Sequence, residues 1–109
     1  MSKKPESRLQ MRIQNAIRLK YPKAYVRKIH GSEYQSGGIA DLLIGIDGLM
    51  VMCEVKMPGE EPSELQIADG KEVLASGCYW FVAESVDEAM EGIKRGLDRA
   101  TAARTKTRR

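Results

Sequence analysis

Residues Ile39-Ala40-Asp41-Leu42-Leu43-Ile44-Gly45-Ile46-Asp47-Gly48-Leu49-Met50-Val51-Met52-Cys53-Glu54-Val55-Lys56-Met57 decide the fold. Two dense apolar runs, Ile39 to Ile46 and Leu49 to Met57, flank Asp47-Gly48. That pair suits a two-residue type I′ hairpin turn, whose central positions both need positive φ. Both runs are apolar on both faces apart from a few charged positions, as central strands covered on two sides are. With a two-residue loop Ile46 pairs with Leu49, and counting outward sets Asp41 directly opposite Glu54. A loop of three or four residues would shift that register and lose the opposition.

Three ionisable residues, Asp41, Glu54 and Lys56, interrupt these strands, and an unpaired buried charge costs several kcal/mol. Opposed residues share a face with Cβ atoms roughly 4.5 to 5.5 Å apart, so two carboxylates there repel unless something positive lies between them. A hard divalent cation meets that need, since Mg²⁺ binds through one or two protein carboxylates and keeps several waters. Lys56 follows Glu54 by two residues and falls on the same face. Such a trio suits phosphodiester hydrolysis: a cation polarises the phosphate and acidifies water, and an ammonium group orients that water or neutralises developing charge. The same spacing also fits an ordinary ion-pair network in which Lys56 neutralises Glu54.

The hairpin's surroundings complete an αβββαβα order. Leu9, Ile13, Ala16 and Ile17 recur at helical spacing between Glu6 and Lys20, and Tyr21-Pro22 ends that helix. Ala24 to Ile29 reads as an edge strand, followed by a polar loop over His30 to Gly38. After a Pro58 to Pro62 loop, Ser63 caps a second helix running to about Ser76. Cys78 to Ala83 is a fourth strand, and Ser85 with Glu88 forms a capping-box signature for a third helix to about Ala100. Strand, helix, strand implies a crossover, hence a mixed sheet flanked by helices in an α/β domain. One domain is expected over residues 1–100, with 101–109 a basic, disordered tail.

With 42% hydrophobic and 30% charged residues and no apolar run of membrane-spanning length, the composition fits a globular chain with no membrane role. The start of the chain lacks an apolar signal core, so cytoplasmic residence is expected. Cys53 and Cys78 lie in apolar runs without metal-binding spacing, and His30 is the sole histidine, so zinc is disfavoured and a metal must take oxygen ligands. Lys20, Lys23, Arg27 and Lys28 form one basic group, and Arg99, Arg104, Lys106, Arg108 and Arg109 a second. Both suit a phosphate backbone, and both also suit a solvated surface. No nucleotide-binding signature is present.

Four blocks in order and spacing, Glu6-Ser7-Arg8-Leu9-Gln10, Ser36-Gly37-Gly38-Ile39-Ala40-Asp41, Glu54-Val55-Lys56 and Pro62-Ser63-Glu64-Leu65-Gln66, together with Lys28-Ile29-His30-Gly31, resemble the virus-type replication-repair nuclease domain. This VRR-NUC family is a branch of the PD-(D/E)xK nucleases, and the likeness, to its stand-alone phage and bacterial type, spans Glu6 to about Val86. It implies a restriction-endonuclease-like αβββαβ core and metal-dependent cleavage of DNA, with Mg²⁺ as cofactor and Mn²⁺ as a substitute. By resemblance, Asp41, Glu54 and the Val55 carbonyl hold the metal, Lys56 is the catalytic lysine, and Glu6 and Gln66 assist. Glu6 is equally placed to favour a helix N-terminus, and Gln66 to close a capping box with Ser63. Ala40 departs from the proline usual before the aspartate, a change in stiffness and not in ligands.

Lys28, His30, Tyr34, Gln35 and Ser36 are the candidate DNA contacts, with His30 alternatively structural. Stand-alone members resemble Holliday junction resolvases, so branched DNA and a homodimer are expected, with Tyr79, Trp80, Phe81 or the third helix as contacts. A non-catalytic nucleic-acid-binding module using the basic clusters is the alternative, and hydrolysis of a small phosphoester is a third.

Overall fold

In the computed structural model, which describes residues 4–29 and 37–107, the chain runs α1 (Pro5–Lys20), β1 (Tyr25–Lys28), β2 (Leu42–Ile46), β3 (Leu49–Val55), α2 (Glu64–Ala75), β4 (Tyr79–Ala83) and α3 (Val86–Thr107). The strands form one sheet in the order β1-β2-β3-β4, antiparallel except for the parallel β3–β4 pair that the α2 crossover makes possible. β1 is an edge, as its short length suggested, and β4 is the other.

The hairpin turn has the expected geometry, with Asp47 at φ 50° and Gly48 at φ 78°. Ile46 pairs with Leu49 and Leu42 with Cys53, so the two-residue register holds to the end of the ladder. Even-numbered residues of β2 and odd-numbered residues of β3 therefore share a face. Leu42, Ile44, Ile46, Val51, Cys53 and Val55 are all buried on it, against Leu9, Ile13 and Ile17 of α1 and Ala89 and Ile93 of α3.

β4 divides its aromatic residues between the two faces. Gly70 of α2 lies against the Trp80 indole so closely that a Cβ there would come within 2.3 Å of it. Gly92 and Gly96 of α3 admit the Phe81 and Tyr79 rings in the same way. Each of the three rings therefore packs against a helix of its own chain, with Tyr79 and Trp80 left partly exposed.

Two expectations about coverage and length are corrected. The hairpin strands are buried throughout on one face only: on the other, Met52 and Glu54 are buried while Leu43 and Gly45 are half-buried and Met50 is exposed. α2 packs on β4 through the Gly70–Trp80 contact, and among the described residues no helix covers the β1–β2 side of that face. The third helix does not stop near Ala100 but continues to Thr107, because nothing after Gly96 in that segment breaks a helix. Ser85 caps it, accepting from the Glu88 N–H at 3.1 Å, while the Glu88 carboxylate reaches the Glu84 N–H at 2.8 Å. Among the described residues, no helix is long and apolar enough to cross a membrane.

Candidate active site

β3 ends at Val55 where β2 begins and where β1 and β4 also end, so the strand termini gather at the side of the sheet opposite the hairpin turn. Asp41 sits one residue before β2. Its backbone carbonyl accepts from the Ile29 N–H at 2.8 Å, and its Oδ2 accepts from the Val55 N–H at 2.8 Å. The carboxylate thus takes the position a backbone carbonyl would fill one rung further along the ladder. Ala40 before it is buried.

Glu54, on β3, is 1% exposed. Its Oε2 pairs with Lys56 Nζ at 3.1 Å, while its Oε1 is buried with no hydrogen-bond partner among the described residues. Burial, reinforced by the neighbouring Asp41 carboxylate, pushes its pKa up to about 7 against the pull of Lys56. Asp41 is also raised by burial, although the Val55 N–H, Lys56, Lys28 and a side-chain hydrogen bond from Gln10 all act to lower it. For Lys56, burial disfavours the charge, but the hydrogen bond to Glu54 and the charges of Glu54, Glu6 and Asp41 outweigh it and leave the pKa raised.

Glu6 lies in the first turn of α1 and joins this group. A carboxylate serving only the helix N-terminus would have its pKa lowered. Glu6 is instead raised, by burial first and by Asp41 second, with Lys56 opposing. The mutually acting groups are Glu6, Asp41, Glu54 and Glu60 against Lys28 and Lys56, which leaves two surplus negative charges when all are ionised.

Gln66 stands in the first turn of α2, where its Oε1 accepts from the Ser63 N–H at 2.8 Å and its own N–H donates to Ser63 Oγ at 3.1 Å. The capping box is complete, so only the Gln66 Nε2 is left to act on anything else. Lys28 ends β1, half-buried and near enough to act on Asp41 and Glu6. His30, Tyr34, Gln35 and Ser36 lie outside the described residues.

One site residue escaped the sequence reading. Gln10 is 4% exposed, lies near enough to Asp41 to help lower its pKa, and has a buried Oε1 with no partner among the described residues. The signal was present: Glu6, Gln10, Ile13 and Ile17 lie on one stripe of α1, and a polar residue on a stripe otherwise facing the core calls for a partner.

The donor set can be tested for a cation. Among the described residues no three His, Cys, Asp or Glu side chains form a metal-holding group, so any cation here has at most two side-chain ligands of those types. Two carboxylates with an unsatisfied oxygen and surplus negative charge match what Mg²⁺ takes from a protein. The N–H and C=O of one strand residue point the same way, so the Val55 carbonyl faces the Asp41 side along with its N–H. The residues present fit the group.

Among solved structures, a VRR_NUC domain matches 77% of this chain and 92% of its own length, with TM-score 0.61 and 25% sequence identity. A VRR_NUC domain protein matches 89% of this chain and 91% of its own length, with TM-score 0.69 and 16% identity, a likeness of fold. No family model matches the sequence. No curated protein matches it either. The mixed sheet flanked by helices is that of the restriction-endonuclease-like fold.

Proposed function

We propose, from the premise that this chain has the fold of a VRR-NUC nuclease-family domain, that it is a divalent-cation-dependent DNA endonuclease. The observation that carries the reading is Glu54, a buried carboxylate with one oxygen on Lys56 and the other unpaired, beside a second carboxylate on the neighbouring strand. A structural ion pair has no need of the unpaired oxygen, which costs stability where it stands.

Asp41, Glu54 and the Val55 carbonyl would hold Mg²⁺ or Mn²⁺. When bound, the cation neutralises phosphate charge and makes water a stronger acid. Glu54 fixes the Lys56 ammonium at the edge of the site, where it is positioned to orient the attacking water and to balance charge developing on the phosphate. Glu6 supplies a further acceptor for that water. Gln66 offers its Nε2 to a phosphate oxygen, and Lys28 supplies positive charge along the backbone. His30, Tyr34, Gln35 and Ser36 are further proposed contacts from the loop before Asp41.

The substrate we propose is branched DNA, such as a Holliday junction, in replication, recombination or repair in the cytoplasm of a bacterial or phage-infected cell. Two free cysteines suit a reducing compartment. A homodimer matches two symmetric cleavage points. Tyr25, Leu43 and Met50 on the open sheet face offer it apolar surface.

Linear, flapped, splayed and four-way DNA incubated in Mg²⁺, Mn²⁺ or EDTA test the proposal. Cleavage is expected with either metal, none in EDTA, and a loss of at least about a hundredfold in Lys56→Ala. DNA binding without cleavage under every condition would instead favour the non-catalytic module.

A further inference from the structure

Two buried oxygens in this molecule lack hydrogen-bond partners among the described residues while lying beside one aspartate: Glu54 Oε1 and Gln10 Oε1. The first belongs to the proposed cation site. The second has no explanation in packing, because an apolar residue of the same length would fill the space between Leu9 and Ile13 without leaving an acceptor unsatisfied. An amide retained there needs a use for both of its ends. One end has a use: the Gln10 side chain lies near enough to the Asp41 carboxylate to help hold its pKa down, as an amide turned to a carboxylate through its N–H donors does. The oxygen is therefore turned toward something else, and one helical turn away on the same face lies Glu6, whose charge is felt by Asp41 and Lys56.

We infer that Gln10 is a positioning residue of the cation site, holding Asp41 through its amide N–H and presenting Oε1 as an acceptor to a hydrated divalent cation. This rests on the metal-dependent reading proposed above and extends it to α1. Mg²⁺ keeps several waters, and those waters need acceptors that stay neutral if the site is not to gather excess negative charge. A glutamate at position 10 would add a further carboxylate to a site already surplus in them. Glutamine supplies the acceptor without the charge. Its burial on α1 also anchors it to a rigid element, while the Val55 N–H holds Asp41 from β3.

The test compares Mn²⁺ titrations of the full chain by calorimetry with thermal melts in EDTA, for wild type, Gln10→Met and Gln10→Asn. Met keeps length and bulk and loses both hydrogen-bonding ends, whereas Asn keeps the amide one methylene short of Asp41. Mn²⁺ affinity is expected to fall about tenfold or more in both variants. The EDTA melting temperature of Gln10→Met is expected to match or exceed that of wild type, since an unsatisfied buried oxygen is removed. A purely structural glutamine gives the opposite pattern, with unchanged Mn²⁺ affinity and a lower EDTA melting temperature, and that result overturns the inference. Should Gln10→Met fold poorly, Gln10→Asn binding Mn²⁺ as tightly as wild type overturns it equally. Absence of Mn²⁺ binding by wild type strikes the metal-dependent reading itself, a distinct failure.

Discussion

Glu54 holds its proton more tightly in the folded chain than in the unfolded one, which gives metal-free stability a definite pH slope. Its folded pKa of about 7 stands above the ordinary glutamate value of 4.5, so the native state binds more protons between those limits. Stability from this group is full below about 4.5 and falls as pH rises through 7, by on the order of 3 kcal/mol. Asp41 and Glu6 are raised too and act in the same direction. In EDTA the melting temperature is expected to be higher at pH 5 than at pH 7.5, with Glu54→Gln flattening the difference and raising the value at pH 7.5. A cation added at neutral pH should reverse the deficit by binding the folded state alone. The charged trio itself was legible, because charges inside apolar strands demand explanation. Gln10 was not, since an uncharged residue on an amphipathic helix draws notice only once its burial is known.

At the scale of elements, the helices are seated by glycines that rings fill. Alanine in a helix interior usually adds up to about 1 kcal/mol over glycine. Gly70→Ala and Gly92→Ala should do the reverse, each losing about 1–3 kcal/mol in chemical denaturation, because the new Cβ meets the Trp80 or Phe81 ring at 2.3 Å. The α2 cap separates two roles of one side chain. Gln66→Glu keeps an acceptor for the Ser63 N–H, so stability should hold within about 0.5 kcal/mol, while loss of the Nε2 donor lowers cleavage about tenfold. The hairpin was readable because Asp47-Gly48 has one favoured turn and that turn dictates register. The Ser63–Gln66 capping box and the Ser85 cap on the Glu88 N–H were readable for the same local reason. The end of α3 was not, since no stop signal follows Gly96, and the one-sided reach of α2 depends on which strand it packs against, a tertiary choice.

At the scale of the whole molecule, the acids and the hairpin turn occupy opposite ends of the sheet, and among the described residues no helix covers the face over β1 and β2 on the α2 side. Tyr25 is 52% exposed there, under the Arg27 guanidinium at 4.2 Å, and Met50 is 38% exposed. Light scattering at micromolar concentration is expected to give twice the 12.2 kDa chain mass, and Met50→Glu to return it to one chain without lowering the melting temperature. The manner in which Asp41 is held carries a practical consequence for capturing the protein on its substrate. Because the side chain stands in for a strand carbonyl toward the Val55 N–H, Asp41→Asn retains that acceptor while removing the charge and turning the second oxygen into an N–H donor. On the function proposed above, such a chain is expected to keep its architecture and to bind DNA without cutting it, a substrate trap whose retained DNA in a gel-shift assay with Mg²⁺ checks the expectation. Asp41→Ala, by contrast, strands an amide and confounds damage to the scaffold with loss of chemistry.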